Sequence, residues 1–189
     1  TEKAQRSPKR VVFAEADNIK ILKAAQTAWE EGVAYPILLG KKSIIEKLIN
    51  EYSIEFQDVE IIDPKSDDEA ERRKAFGLKF FDKRKRKGVT EFEAIQLMRE
   101  RNHFGAMMVE SGDADAMISG ITRNYRDVVR PAIQTVGVQK GMTKVAGMYI
   151  LNTKRGPLFL ADTTINLNPT AKDIAEITSN VAKTIRKFK

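Results

Sequence analysis

Apolar positions along this chain follow two rhythms. Three short apolar runs, Arg10-Val11-Val12-Phe13-Ala14, Pro36-Ile37-Leu38-Leu39-Gly40 and Val59-Glu60-Ile61-Ile62-Asp63, read as buried strands. Between them Ile21, Leu22, Ala25, Ala28 and Trp29, then Ile44, Ile45, Leu48, Ile49 and Tyr52, fall at the roughly 3.6-residue helical period. Asn18 stands where the first helix needs a cap, and Gly32 where it must stop. Strand, helix, strand, helix, strand in that order predicts an α/β fold with a parallel sheet and right-handed crossovers.

Beyond residue 63 the helical period dominates. Ser66 with Glu69, and Thr90 with Glu93, are spaced as capping boxes, each opening a helix. The first of these helices runs into Lys83-Arg84-Lys85-Arg86-Lys87 and closes at Gly88, a basic end that suits the helix dipole and solvent. Residues 102–112 read as a short helix burying Phe104, Met107 and Met108, with His103 at its surface or end. Residues 116–118 read as a further buried strand, and 124–137 as a helix that Pro131 restarts or kinks. Residues 144–151 and 156–161 pair as a hairpin whose faces are both apolar, which predicts burial on both sides. Asn168 as N-cap, with Pro169 at the first helical position, opens the last helix along Ile174, Ile177, Val181, Ile185 and Phe188. The expected organisation is a polar linker over 1–9, a first lobe over 10–140 and the start of a second lobe over 141–189. The last helix carries no Gly or Pro stop, so the sequence reads as a piece of a longer protein.

Composition narrows the chemistry. With 189 residues, 42% hydrophobic, the chain is long enough for a sizeable core. The absence of cysteine excludes disulfides, zinc–thiolate sites and thiol nucleophiles, and a single histidine leaves no Ser–His triad or His-rich metal site. No apolar run is long enough to span a membrane and the first ten residues hold no signal-peptide core, so the cytoplasm is the expected location. A net charge of +7 points to an anionic partner, either nucleic acid or a phosphate-rich small molecule.

The candidate chemistry gathers in Ser119-Gly120-Ile121-Thr122-Arg123, just past the predicted strand at 116–118. Strand, glycine turn and helix is the place where open α/β sheets bind anions. Ser119 and Thr122 offer hydroxyls, Gly120 admits a ligand close to the backbone, and the start of the next helix offers N–H groups. Arg123, Arg126 and Arg130 recur at i, i+3 and i+7 and share one helical stripe. A helix terminus contributes about 0.3–1 kcal/mol toward an anion. A charge-assisted hydrogen bond contributes about 1.5–3 kcal/mol, so the arginines would dominate. The plain alternative is a solvated basic helix after an ordinary turn.

Several stretches resemble the phosphotransacetylases, the phosphate acetyl/butyryltransferase family. These are Ala114-Asp115-Ala116-Met117-Ile118-Ser119-Gly120, Arg130-Pro131-Ala132-Ile133-Gln134, Ala161-Asp162-Thr163-Thr164-Ile165-Asn166, Pro169-Thr170 and Ile174-Ala175. Residues 102–109 and 119–125, with Val145-Ala146-Gly147-Met148-Tyr149, are more similar to one branch, the C-terminal phosphotransacetylase-like region of bacterial NADP-dependent malic enzymes. Val12-Phe13-Ala14-Glu15-Ala16-Asp17 fits the same resemblance.

The resemblance implies a three-layer α/β/α domain of isocitrate/isopropylmalate dehydrogenase-like architecture, with a second lobe beginning near Lys144. Family enzymes move acetyl between coenzyme A and phosphate, using a Ser/Arg/Asp group in a C-terminal half outside this chain. Arg130 matches an arginine that binds the phosphate end. Active members carry a serine pair where this chain has Thr143 and Lys144, which counts against transferase chemistry. In the malic-enzyme branch, malate oxidation, NADP and the divalent metal (Mg or Mn) belong to upstream domains, and no catalytic residue or metal ligand falls here. This region is implied to bind acetyl-CoA as an effector and to build a homo-oligomer.

The leading expectation is therefore a regulatory and oligomerising region that holds an acyl-CoA or phosphate through Ser119, Gly120, Thr122, Arg123 and Arg130. The alternative is a fragment of a phosphate acetyltransferase. A nucleic-acid module built on the basic pentad has the charge but neither a recognition motif nor aromatic stacking residues in pattern.

Overall fold

A four-stranded sheet, parallel at every pairing, runs through the first of two units in the computed structural model, which describes residues 2–188. That unit is Thr1–Gly137 and the second is Val138–Lys189. The strands are β1 (Lys9–Phe13), β2 (Ala34–Leu39), β3 (Glu60–Ile62) and β4 (Ala116–Ile118), in spatial order β3-β2-β1-β4. Before them Glu2–Gln5 forms a single helical turn, α1. Period-2 alternation sorts the strand residues onto two faces. Val12, Ala14, Ile37, Leu39 and Ile62 join Phe76, Phe80, Phe104, Met107 and Met108 in one core. Phe13 and Leu38 join Leu22, Ala25, Ile45 and Ile54 in the other. The first core is closed by α4 (Ala70–Arg84), α5 (Glu91–Leu97) and α6 (Arg101–Ser111), the second by α2 (Ile19–Glu30) and α3 (Lys42–Glu51). The result is helix, sheet, helix.

Two of the local cap signals hold. The Asn18 side chain accepts from the Lys20 N–H at 2.9 Å. Thr90 and Glu93 form a reciprocal capping box at the start of α5. Ser66 does not cap: its hydroxyl donates back to the Asp63 carbonyl at 3.0 Å, and a 3₁₀ turn over Asp67–Glu69 precedes α4. The basic pentad is a helix end, with Lys83 paired to Glu110 and Lys85 to Asp82.

Two burial expectations fail in this unit. β4 is an edge strand of three residues, and Ile118 is 50% exposed, because β1 covers only one of its edges. α6, by contrast, is buried along its whole middle, His103 included. It is enclosed by β4, α4 and α7 (Tyr125–Thr135), so it has no solvent face for His103 to occupy. Gly105 makes that fit possible: a Cβ there would meet Met117 Sδ at 2.7 Å and Leu39 Cδ1 at 3.1 Å. α7 itself runs through Pro131 as one helix.

In the second unit β5 (Met148–Thr153) and β6 (Gly156–Ala161) form an antiparallel hairpin across Lys154 and Arg155. The hairpin is not buried on both sides. Tyr149, Ile150, Leu151, Leu158 and Leu160 are exposed, because the cover it has from α8 (Ala171–Ile185) and from Phe188 against Phe159 leaves much of the hairpin open. α8 is capped by Thr170 with Asp173 rather than by Asn168, since that box satisfies two backbone donors at once. Asp162 ties the strand end to the segment before β5, accepting from the N–H groups of Gly147 at 2.8 Å and Asn166 at 2.7 Å. Burial pushes its carboxyl up, but the Asn166 side chain and these amides outweigh it and hold the pKa down at about 2. Among the described residues no helix is long and apolar enough to cross a membrane.

Candidate anion-binding site

The turn after β4 presents a cluster of backbone donors, and a side chain of this protein already fills it. The N–H groups of Gly120 and Ile121 donate to one carboxylate oxygen of Glu15, each at 2.7 Å. The Thr122 N–H donates to the other oxygen at 2.9 Å, joined by the Thr122 hydroxyl. Gly120 takes φ +115°, a conformation L side chains rarely adopt, which turns successive amides toward one point. Glu15 stands two residues past β1 and is fully buried. Burial pushes its carboxyl up, and the bonds from Thr122, Ile121 and Gly120 prevail, so it lies below the usual carboxylate range and stays ionised.

Ser119 is also engaged internally. Its hydroxyl donates to Asn102 Oδ1 at 2.8 Å, and Asn102 Nδ2 donates to the Asp127 carbonyl in the first turn of α7 at 3.1 Å. The sequence-predicted residues thus separate into two groups. Ser119, Gly120 and Thr122 build the turn, while Arg123 and Arg130, with Arg126, line a cavity of about 750 Å³ between α4, α5, α6 and α7. No ion pair ties any of these three guanidinium groups to a carboxylate among the described residues.

The cavity is amphipathic. Phe80, Val89, Phe92, Leu97 and Pro131 give it apolar walls, and Glu93, Glu100 and Asp127 share its lining with the arginines. His103 lies against it, nine-tenths buried, edge-on to Phe80 at 5.7 Å between ring centroids. Burial pushes its pKa down and Arg130 adds to that, against smaller upward effects of Gln134 and Glu100, so the ring is neutral at pH 7. Among the described residues its Nε2 has no hydrogen-bond partner. Sequence reasoning passed over Glu15, Asn102 and His103. The one available signal was Glu15, a carboxylate directly after a buried strand.

Arg101 pins the segment that carries Glu15. Its guanidinium makes a two-pronged bond to Asp17 at 2.6 and 2.8 Å, and reaches the Ala14 carbonyl at 3.4 Å. In the second unit Thr143 and Lys144 are tied to α8, where Glu176 accepts from both backbone N–H groups and from the Thr143 hydroxyl. Among the described residues no group of three or more His, Asp and Glu side chains is placed to hold a metal ion.

Fold and site together define a class. The family described as Phosphate acetyl/butaryl transferase matches over residues 1–189, and the chain belongs to it. Its relatives include malic enzymes and phosphate acetyltransferases. It is 35% identical over 189 residues to the NADP-dependent malic enzyme of Escherichia coli, a match covering 98% of this chain and 24% of that protein. It is 32% identical over 187 residues to the phosphate acetyltransferase of Helicobacter pylori, covering 99% of this chain and 36% of that one. Among solved structures, a phosphotransacetylase from Streptococcus pyogenes matches with TM-score 0.85 and 32% identity, over 98% of this chain and 56% of the other. The EutD phosphotransacetylase from Staphylococcus aureus matches with TM-score 0.80 and 28% identity, over 93% and 52%. The chain spans less than two thirds of the length of each.

Proposed function

We propose that this chain is the phosphotransacetylase-like region of an NADP-dependent malic enzyme, that it binds acetyl-CoA or a related acyl-CoA as an effector, and that it performs no catalysis of its own. In this reading it also contributes to a cytoplasmic homo-oligomer, and NADP and a divalent metal are held elsewhere in the protein. The observation that carries the binding reading is the cavity lined by Arg123, Arg126 and Arg130, three guanidinium groups with no ion-pair partner among the described residues. Phosphate is their natural counterion. The apolar walls suit the rest of an amphipathic phosphate ester. Ser119, Gly120 and Thr122 support the site as the turn that launches α7, rather than as ligands.

Calorimetry with acetyl-CoA on the complete protein tests this. Arg130→Ala removes one charge-assisted bond of about 1.5–3 kcal/mol and weakens binding roughly tenfold to a hundredfold. No binding, or binding untouched by Arg130→Ala, refutes it. The identities to phosphate acetyltransferases favour a second reading, a piece of such an enzyme. It predicts turnover of acetyl phosphate by the complete protein, where the first predicts none.

A further inference from the structure

The turn after β4 is an anion nest with its anion built in. We infer that Glu15 is a positioning residue: its carboxylate fills the amide nest of residues 120–122 and, through Ser119 and Asn102, aims the arginine helix α7 at the cavity. This rests on the reading of that cavity as an anion site.

Three observations support it. First, Glu15 takes the N–H groups of Gly120, Ile121 and Thr122 and the Thr122 hydroxyl on its two oxygens. A phosphate cannot use those amides while the carboxylate is there, so the charge that meets a ligand must come from the arginines. Second, the nest is continuous with α7. Ser119, next to Gly120, donates to Asn102, and Asn102 donates to the carbonyl of Asp127, between Arg126 and Arg130 on the helix. Arg123 follows directly on Thr122. The base of the arginine stripe is therefore held at two points, by Glu15 at 122 and by Asn102 at 127. Third, Glu15 is itself held rigidly, because Arg101 grips Asp17 and the Ala14 carbonyl on either side of it. The fully buried carboxylate is thus satisfied on both oxygens and fixed from both sides.

Glu15→Gln is the sharp test, since it keeps the shape. Both oxygens of Glu15 accept backbone N–H groups, so an amide in its place sets an NH₂ against at least one N–H. In the complete protein, hydrogen exchange of the peptide covering 119–123 should accelerate, and acetyl-CoA affinity by calorimetry should fall by about tenfold, the equivalent of one such bond. The decisive measurement is the double variant. If Glu15 acts through α7, its loss adds little to Arg130→Ala, so the two effects on affinity fall well short of multiplying. Ser119→Ala cuts the relay at a partly exposed position and should weaken binding in the same direction with little change in melting temperature. Wild-type affinity in Glu15→Gln, or full multiplication of the two losses, overturns the inference while leaving the cavity reading intact. Failure of the wild-type protein to bind acetyl-CoA removes both.

Discussion

Gly77 is where α4 and α5 touch, and an added methyl there measures how rigid one wall of the cavity is. A Cβ at Gly77 would sit 2.6 Å from Ile95 Cγ1, 2.7 Å from Ile95 Cα and 3.0 Å from Ile95 N. Two of these three atoms are backbone, so no rotamer change relieves the clash and α5 itself must shift. Overpacking a close contact costs about 1–3 kcal/mol, and a backbone collision belongs in the upper half of that range. Against this, alanine in a helix interior gains about 0.8–1 kcal/mol over glycine. Gly77→Ala should therefore destabilise by about 1–2 kcal/mol, and at roughly 2–4 °C per kcal/mol for a chain of this size the melting temperature should drop by roughly 2–8 °C. Gly105→Ala is the control. Its nearest atoms are side-chain ends, Met117 Sδ at 2.7 Å, Leu39 Cδ1 at 3.1 Å and Val12 Cγ1 at 3.2 Å, and the methionine can swing aside. Its loss should be smaller. Because Phe92, Glu93, Gln96 and Leu97 of α5 line the cavity, Gly77→Ala should weaken acetyl-CoA as well. Differential scanning calorimetry of both variants decides the matter. A Gly77→Ala protein that melts at or above the wild-type temperature, or that suffers less than Gly105→Ala, refutes the reasoning.

Further outcomes follow from single side chains. Asp162 is held at about 2, below the ordinary carboxylate, so its stabilisation is complete above about pH 4 and drains away as pH falls toward 2. Asp162→Asn should flatten that acid limb for peptides of residues 138–188 in pH-resolved hydrogen exchange, and an unchanged limb would count against the bond network. Thr90→Ala should cost about 1 kcal/mol through loss of the α5 cap, with Thr90→Ser recovering most of it in thermal melts. Equal melting temperatures for wild type and Thr90→Ala would show that the cap carries no weight.

What could be read from the chain alone followed the range of each interaction. β1, β2 and β3 were legible because their apolar runs feed cores on both faces of a parallel sheet. The Thr90–Glu93 box was legible because both partners lie in one turn, whereas Ser66 was drawn away by the Asp63 carbonyl behind it. The arginine stripe was visible as a spacing, and the cavity it lines was not, since α4 and α5 supply the opposite wall. Glu15 was invisible as a partner of the turn because 105 residues separate it from Gly120 and only the β1–β4 pairing brings them together. His103 was misjudged for a related reason: a helix buried along its whole middle has no clear polar face to reveal its orientation. For the hairpin, two apolar faces record an appetite for cover without naming what supplies it.

β1 lies inside the sheet, bonded to β2 on one edge and to β4 on the other. Val12 and Phe13, neighbours in sequence, serve opposite cores. Inserting or deleting a single residue between Lys9 and Phe13 would therefore invert the pleat, exchange the contents of both hydrophobic layers and break step with two ladders together. It would also pull the carboxylate of the next turn off its amides. The five residues of that strand thus admit no change of length, which is left to the connections.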